Sequence, residues 1–138
     1  MKIIFLDFDG VLAPYGNRYE AGKFSKSCVE NFNKILKFHP EAKIVVSSSW
    51  RRHGVKYVKD MLDANGIDSS KVRGITPEEK GPTREHHIKE YLSAHTDIDE
   101  FVIIDDDHMD ILKKNSVRPN QHIGLTEADS KNAIDILS

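Results

Sequence analysis

Residues 2–11 read KIIFLDFDGV. Lys2–Leu6 is a short apolar run of the kind that forms a strand buried on both faces of a parallel sheet. It stops at Asp7, and Phe8, Asp9 and Gly10 follow. Residues two apart share a side of a strand, so the two carboxylates address one cavity if the strand ends where they begin. Gly10 then lets the backbone take an unusual turn. A nucleophile beside an acid has this spacing. A solvated strand end entering a turn uses the same residue types, because Asp and Gly are common in turns.

Outward from this stretch, apolar runs of four or five residues alternate with segments of helical period, the pattern of a parallel sheet with crossover helices. Ala42–Val46, Val72–Ile75, Phe101–Ile104 and His122–Leu125 are the other strand candidates. Cys28, Val29, Phe32, Ile35 and Leu36 mark a first helix, with Ser27 and Glu30 spaced as a capping box. Val55, Val58, Met61 and Leu62 mark a second. Thr83, Ile88, Tyr91 and Leu92 mark a third with Pro82 just outside its start, and Thr126 opens a fourth that carries Ala133, Ile134 and Leu137. The expectation is one α/β domain over residues 1–138, a Rossmann-like three-layer sandwich around a central parallel five-stranded sheet. Its ligands belong at the carboxyl ends of the strands.

The remaining chemical residues fall at such ends. Asp105, Asp106 and Asp107 follow FVII. Adjacent acids there repel one another unless a cation or donors compensate, and a hard divalent ion is the simplest compensation. Asp107 and Asp110 are read instead as helix-start residues favoured by the macrodipole. KIVV runs into Ser47, Ser48 and Ser49, and a hydroxyl with loop N–H groups suits a phosphoryl oxygen. Ser47 is the first candidate for that task, with Ser48 as a one-residue slip, and Ser48 or Ser49 is the natural cap or turn residue. Arg84, or Lys80 just before it, supplies a cation; the ordinary fate of either is a surface charge.

With these pieces in order, the chain resembles the haloacid-dehalogenase superfamily over nearly its whole length. The match lies in DFDGV, IVVSSSW, the Lys80 to Arg84 region and VIIDDD. More narrowly, FLDFDGVL, VVSSSWR, VIIDDD and HIGLT look like the haloacid-dehalogenase domain of RNA repair proteins and, more distantly, the phosphatase half of polynucleotide kinase-phosphatases. The resemblance implies a phosphatase in which Asp7 attacks phosphorus and Asp9 serves as acid and then base. Mg²⁺ would be held by Asp7, the Asp9 carbonyl and Asp106, with Asp105 as a further acid. Ser47 would hold a phosphoryl oxygen, and Arg84 or Lys80 would balance charge, with Arg84 preferred by position.

The large cap domains of that superfamily have no room here. Val11–Phe24 allows only a short flap, with Tyr15, Asn17, Arg18, Tyr19 and Phe24 able to stack on a base or tuck against the core. Trp50, Arg51, Arg52, His53 and Lys56 form the densest basic group, read either as a grip on a polyanion or as solvated cations beside a packed Trp. His86 and His87 are adjacent on a helix and point apart, which argues against zinc. The favoured partner is a phosphorylated polynucleotide end, with 3′-phosphates preferred. Nucleotide or phosphoprotein substrates, a receiver-like signalling domain and an inactive binding module are the alternatives.

Composition limits the rest. A chain of 138 residues with 38% hydrophobic and 30% charged side chains is the size and kind of one globular domain. A net charge of −2 argues against a dedicated nucleic-acid coat without excluding a local basic patch. The single cysteine, Cys28, cannot form an internal disulfide. The first apolar stretch is too short to span a membrane and contains acids, so a cytoplasmic monomer is the default expectation.

Overall fold

The computed structural model describes residues 1–15, 22–77 and 83–138. Lys80, Pro82 and the Asn17–Tyr19 part of the flap lie outside the described residues. Five strands form one sheet: β1 (Lys2–Leu6), β2 (Lys43–Val46), β3 (Val72–Ile75), β4 (Glu100–Ile104) and β5 (Ser116–Val117). All pairings are parallel, in the order β3-β2-β1-β4-β5. Four helices cross over the sheet: α1 (Lys26–Phe38), α2 (Val55–Ala64), α3 (Arg84–Ala94) and α4 (Glu127–Leu137).

The central strands β1, β2 and β4 are buried on both faces, as their apolar sequence requires, whereas the flanking β3 and β5 are only partly buried. Ile4, Leu6, Ile44 and Val46 pack with side chains of α1, α2 and α4, including Phe32, Leu62 and Leu137. Ile3, Phe5, Val45 and Ile103 pack on the opposite side with Ile88 and Tyr91 of α3. The result is the expected three-layer sandwich. Each fully buried Ile, Leu or Phe contributes about 1.5–3 kcal/mol of transfer free energy, so alternation along β1 commits it to both layers. Among the described residues no helix is long and apolar enough to cross a membrane.

The fifth strand differs from the one expected. Ser116–Val117 pairs with Ile103–Ile104, whereas residues 122–125 form no strand. Ile123 and Gly124 instead donate to the Asn120 carbonyl at 3.0 and 2.7 Å, closing a turn. Gly124 has φ +78°, and a Cβ there would lie 2.6 Å from Cys28 Sγ and 2.8 Å from the Val11 carbonyl oxygen. The alternation in HIGL therefore serves a turn that plugs Leu125 into the core, while Arg118 and Pro119 keep the true edge strand short.

Two helix starts also differ. α1 begins at Lys26 behind Ser25, with no side-chain cap bond, and Ser27 Oγ lies 3.1 Å from Ser25 Oγ rather than capping. No helix starts at Asp107 or Asp110. Asp107 Oδ1 accepts from the His108 amide at 2.9 Å and Asp110 pairs with His108 at 2.8 Å. Local bonds of this kind compete with helix formation. Thr83 and Thr126 do cap α3 and α4, accepting from the amides of His86 and Asp129.

Candidate active site

β1 is central, and the chain runs β1 to β2 to β3 on one side before crossing to β4 on the other. The carboxyl ends of β1 and β4 therefore flank the switch point where such sheets bind ligands. Leu6 pairs with Ile104, so the residues that follow, Asp7 and Asp105, emerge side by side. The Asp7 amide still donates to the Ile104 carbonyl at 3.1 Å, and the Ser47 amide to Leu6 at 3.0 Å. The strand ladder thus continues one residue into the site and fixes the backbone that carries its side chains.

Asp7 and Asp105 are both buried, at 3% and 0% exposure. Arg84 Nη1 donates to Asp7 Oδ1 at 3.0 Å and to Asp105 Oδ2 at 2.8 Å. Thr83 makes this possible, because by capping α3 it sets Arg84 as the helix's first residue. One guanidinium does not balance the cluster. Carboxylate oxygens of Asp7, Asp105 and Asp106 converge within 4.8 Å of one another. Burial lifts the Asp7 carboxyl well above the usual carboxylate range, and the charge of Asp105 adds to this against the pull of Arg84. Burial likewise raises Asp105 to about 6, with Arg84 opposing. For Arg84, burial works against the charge, but Asp105 and Asp7 hold it more firmly protonated than an ordinary arginine.

Gly10 makes the approach of Asp106 possible. Its φ is +81°, and a Cβ built there would run into the Asp106 carboxylate. The turn after β1 and the acid after β4 thus occupy adjoining space that only a glycine leaves open.

Asp9 stands at the same cleft, but its carboxylate is not one of the three that converge. Asp9 Oδ2 accepts from Trp50 Nε1 at 3.1 Å. The Trp50 ring stacks on Tyr57, with centroids 6.2 Å apart and planes within 8°. The cleft has a volume of about 340 Å³ and is lined by Asp7, Asp9, Arg84 and Asp106 together with Tyr15, Ser49, Asp107, Arg118 and Gln121.

The serines divide their tasks. Ser48 accepts from the Trp50 amide at 3.3 Å and caps the short turn Ser49–His53. Ser49 lines the cleft. Ser47 is fully buried, and its Oγ has no hydrogen-bond partner among the described residues. Lys80 falls outside the described residues, so of the two candidate cations only Arg84 can be placed.

The basic group after the serines is smaller than its sequence suggests. Arg51 is buried and donates to the carbonyls of Ser47 and Ser48 at 3.1 and 3.0 Å, bracing the end of β2. Lys56 pairs with Asp60 on the surface of α2. His86 and His87 diverge as expected, His86 to Glu90 and His87 towards Arg51. Of the flap, Phe24 packs on Phe8 with centroids 5.1 Å apart, whereas Tyr15 faces the cleft.

Sequence reasoning missed Ser49, Arg118, Gln121 and the Trp50–Asp9 bond. Arg118 directly follows β5, so the strand-end rule that found the acids finds it too once β5 is placed at Ser116–Val117. Glu85 was also missed: its Oε2 accepts from the amides of Ile111 and Leu112, both at 2.9 Å, and ties the loop after β4 to the start of α3.

A parallel five-stranded sheet with Asp-x-Asp after its central strand, paired acids after the neighbouring strand and an arginine between them defines a domain of the haloacid-dehalogenase type. The chain belongs to the family described as HAD domain in Swiss Army Knife RNA repair proteins, which it matches over residues 3–130. No curated protein and no solved structure gives a significant match.

Proposed function

We infer that this domain is a Mg²⁺-dependent phosphomonoesterase that works through an aspartyl-phosphate on Asp7 and acts on polynucleotide 3′-phosphate ends. The observation that carries the reading is the buried Asp7 carboxylate held by Arg84 beside the converging acids Asp105 and Asp106. The donor set fits a hard cation, because it offers only oxygen atoms and holds more negative charge than Arg84 balances. Asp7, Asp106, the Asp9 carbonyl and Asp105 would hold that ion. When bound, it supplies charge neutralisation between the phosphate and the carboxylates.

In this reading an Asp7 oxygen attacks phosphorus in line, and the bond from phosphorus to the leaving oxygen breaks. Asp9 gives its proton to that oxygen as the alcohol departs. Asp9, now a carboxylate, takes a proton from water while the water oxygen attacks phosphorus. The bond to Asp7 breaks and inorganic phosphate is released. Trp50 holds Asp9 by its indole N–H and so fixes the acid at the cleft. Arg84 steadies Asp7 as charge moves onto the phosphoryl oxygens, and Ser49, the serine of the run that lines the cleft, is placed to hold one of those oxygens.

The test is phosphate release from 3′- and 5′-phosphorylated oligonucleotides, mononucleotides, phosphopeptides and sugar phosphates, with Mg²⁺ or EDTA. Asp7→Asn is expected to lower kcat by at least about 10³-fold, since it removes the nucleophile. Activity that survives this change sinks the mechanism. Mononucleotides or phosphopeptides hydrolysed faster than every oligonucleotide sink the choice of substrate.

A further inference from the structure

Beside the cleft around Asp7 lies a second concavity of about 450 Å³, lined by Asp106, Arg118, Pro119, Asn120, Gln121 and His122. Asp106, Arg118 and Gln121 line both, so the two concavities adjoin. Arg118 stands at the junction, and its Nε donates to the Asp106 carbonyl at 2.9 Å. That bond fixes the root of the guanidinium beside a metal-binding acid. Among the described residues Arg118 makes no ion pair, whereas Arg84 shares its Nη1 between two carboxylates. The site therefore holds one arginine matched to the nucleophile and a second whose charge is unspent.

The wall beyond Arg118 is a built turn. The His122 amide donates to Asn120 Oδ1 at 2.9 Å, Gly124 to the Asn120 carbonyl at 2.7 Å, and Tyr15 to the Gln121 carbonyl at 2.8 Å. Pro119 is buried beneath it, while the side chains of Asn120, Gln121 and His122 are exposed to the groove. Donors and acceptors of this mixture suit sugar and phosphodiester oxygens, and a planar guanidinium suits a phosphate in particular.

A small phosphomonoester brings a single phosphate, which the floor of the cleft already serves. A polynucleotide end brings another one nucleotide away. We propose that Arg118 and the Pro119–His122 turn form a receptor for the phosphodiester adjoining the scissile phosphate, so that this groove selects nucleic-acid ends over mononucleotides. The proposal rests on the nucleic-acid reading of the same site and names the residues that would enforce it.

The experiment compares kcat/KM for a nucleoside 3′-monophosphate, a 3′-phosphorylated dinucleotide, and the same dinucleotide with a neutral methylphosphonate linkage. The wild type is expected to prefer the charged dinucleotide about tenfold or more, and the neutral linkage to remove that preference, as loss of a charge-assisted hydrogen bond would. Arg118→Gln is expected to bring the dinucleotide-to-mononucleotide ratio near unity and to become indifferent to the linkage charge. Because each ratio is taken within one protein, a loss of folded enzyme cannot imitate the result. Arg118→Gln that keeps the wild-type preference and linkage effect overturns the role of Arg118 while leaving the substrate reading intact. A wild type that shows no preference for the dinucleotide overturns both.

Discussion

Arg84 places one nitrogen between two buried carboxylates, and the sum of charges around it is still negative. Burial raises Asp7 above the usual carboxylate range and Asp105 to about 6. A folded-state carboxyl raised above its unfolded value binds protons more tightly in the native state, so its contribution to stability is present at low pH and is lost as pH rises through the folded value. The window runs from the unfolded value of about 4 to about 6 for Asp105. In EDTA, Asp105→Asn is therefore expected to melt progressively higher than wild type as pH rises through this window. Mg²⁺ is expected to reverse the order by stabilising only the protein that keeps its ligands. Differential scanning fluorimetry across pH, with and without Mg²⁺, checks both signs, and a pH-independent difference between the two proteins would count against the cluster.

Asp7 and Asp105 were readable from the sequence because each directly follows an apolar run, with Asp106 next to the second, and a strand end is a place where a charged side chain needs a reason. Ser49, Arg118 and Gln121 lacked that marker. Ser49 sits two residues beyond its strand, and Arg118 follows a strand of only two residues that pattern cannot distinguish from loop. Arg51 failed in the other direction. In sequence it is one of several cations, and the carbonyls at the end of β2, with His87 beside them, explain why it is buried while Arg52 and His53 are exposed.

At the scale of elements, α4 depends on a reciprocal cap. Thr126 Oγ1 accepts from the Asp129 amide at 3.2 Å and Asp129 Oδ2 from the Thr126 amide at 3.0 Å. Thr126→Ala is expected to cost about 1 kcal/mol, seen as a lower urea midpoint at unchanged slope. Helices with a wide apolar stripe, such as α1 and α2, announce themselves by period. Their exact starts do not, because Ser25 and Ser27 are equivalent in composition and differ only in where the chain turns. The edge strand was misplaced for a related reason: HIGL alternates like a strand, but Gly124 at positive φ spends that alternation on a turn.

At the scale of the whole molecule, both faces of the sheet are covered, and the three central strands β1, β2 and β4 contribute to both cores. A sheet covered in this way is expected to unfold with its helices as one cooperative unit, with calorimetric and van't Hoff enthalpies in agreement. Scanning calorimetry of the metal-free protein tests this, and a ratio well away from unity would reveal separate units. The fold class followed from the alternation of buried runs with helical segments. The order of the strands came from pairing, which no local pattern encodes.

Gly10 and Asp106 show what that assembly means for inheritance. The two positions lie far apart in the chain yet draw on one small volume, so neither is free to drift alone. A side chain at Gly10 would displace the acid and strain the turn, and trimming Asp106 to make room would relieve the first fault by discarding the carboxylate while leaving the second. A change at either position is thus felt at the other, and only glycine lets the turn after β1 and the acid after β4 share that volume.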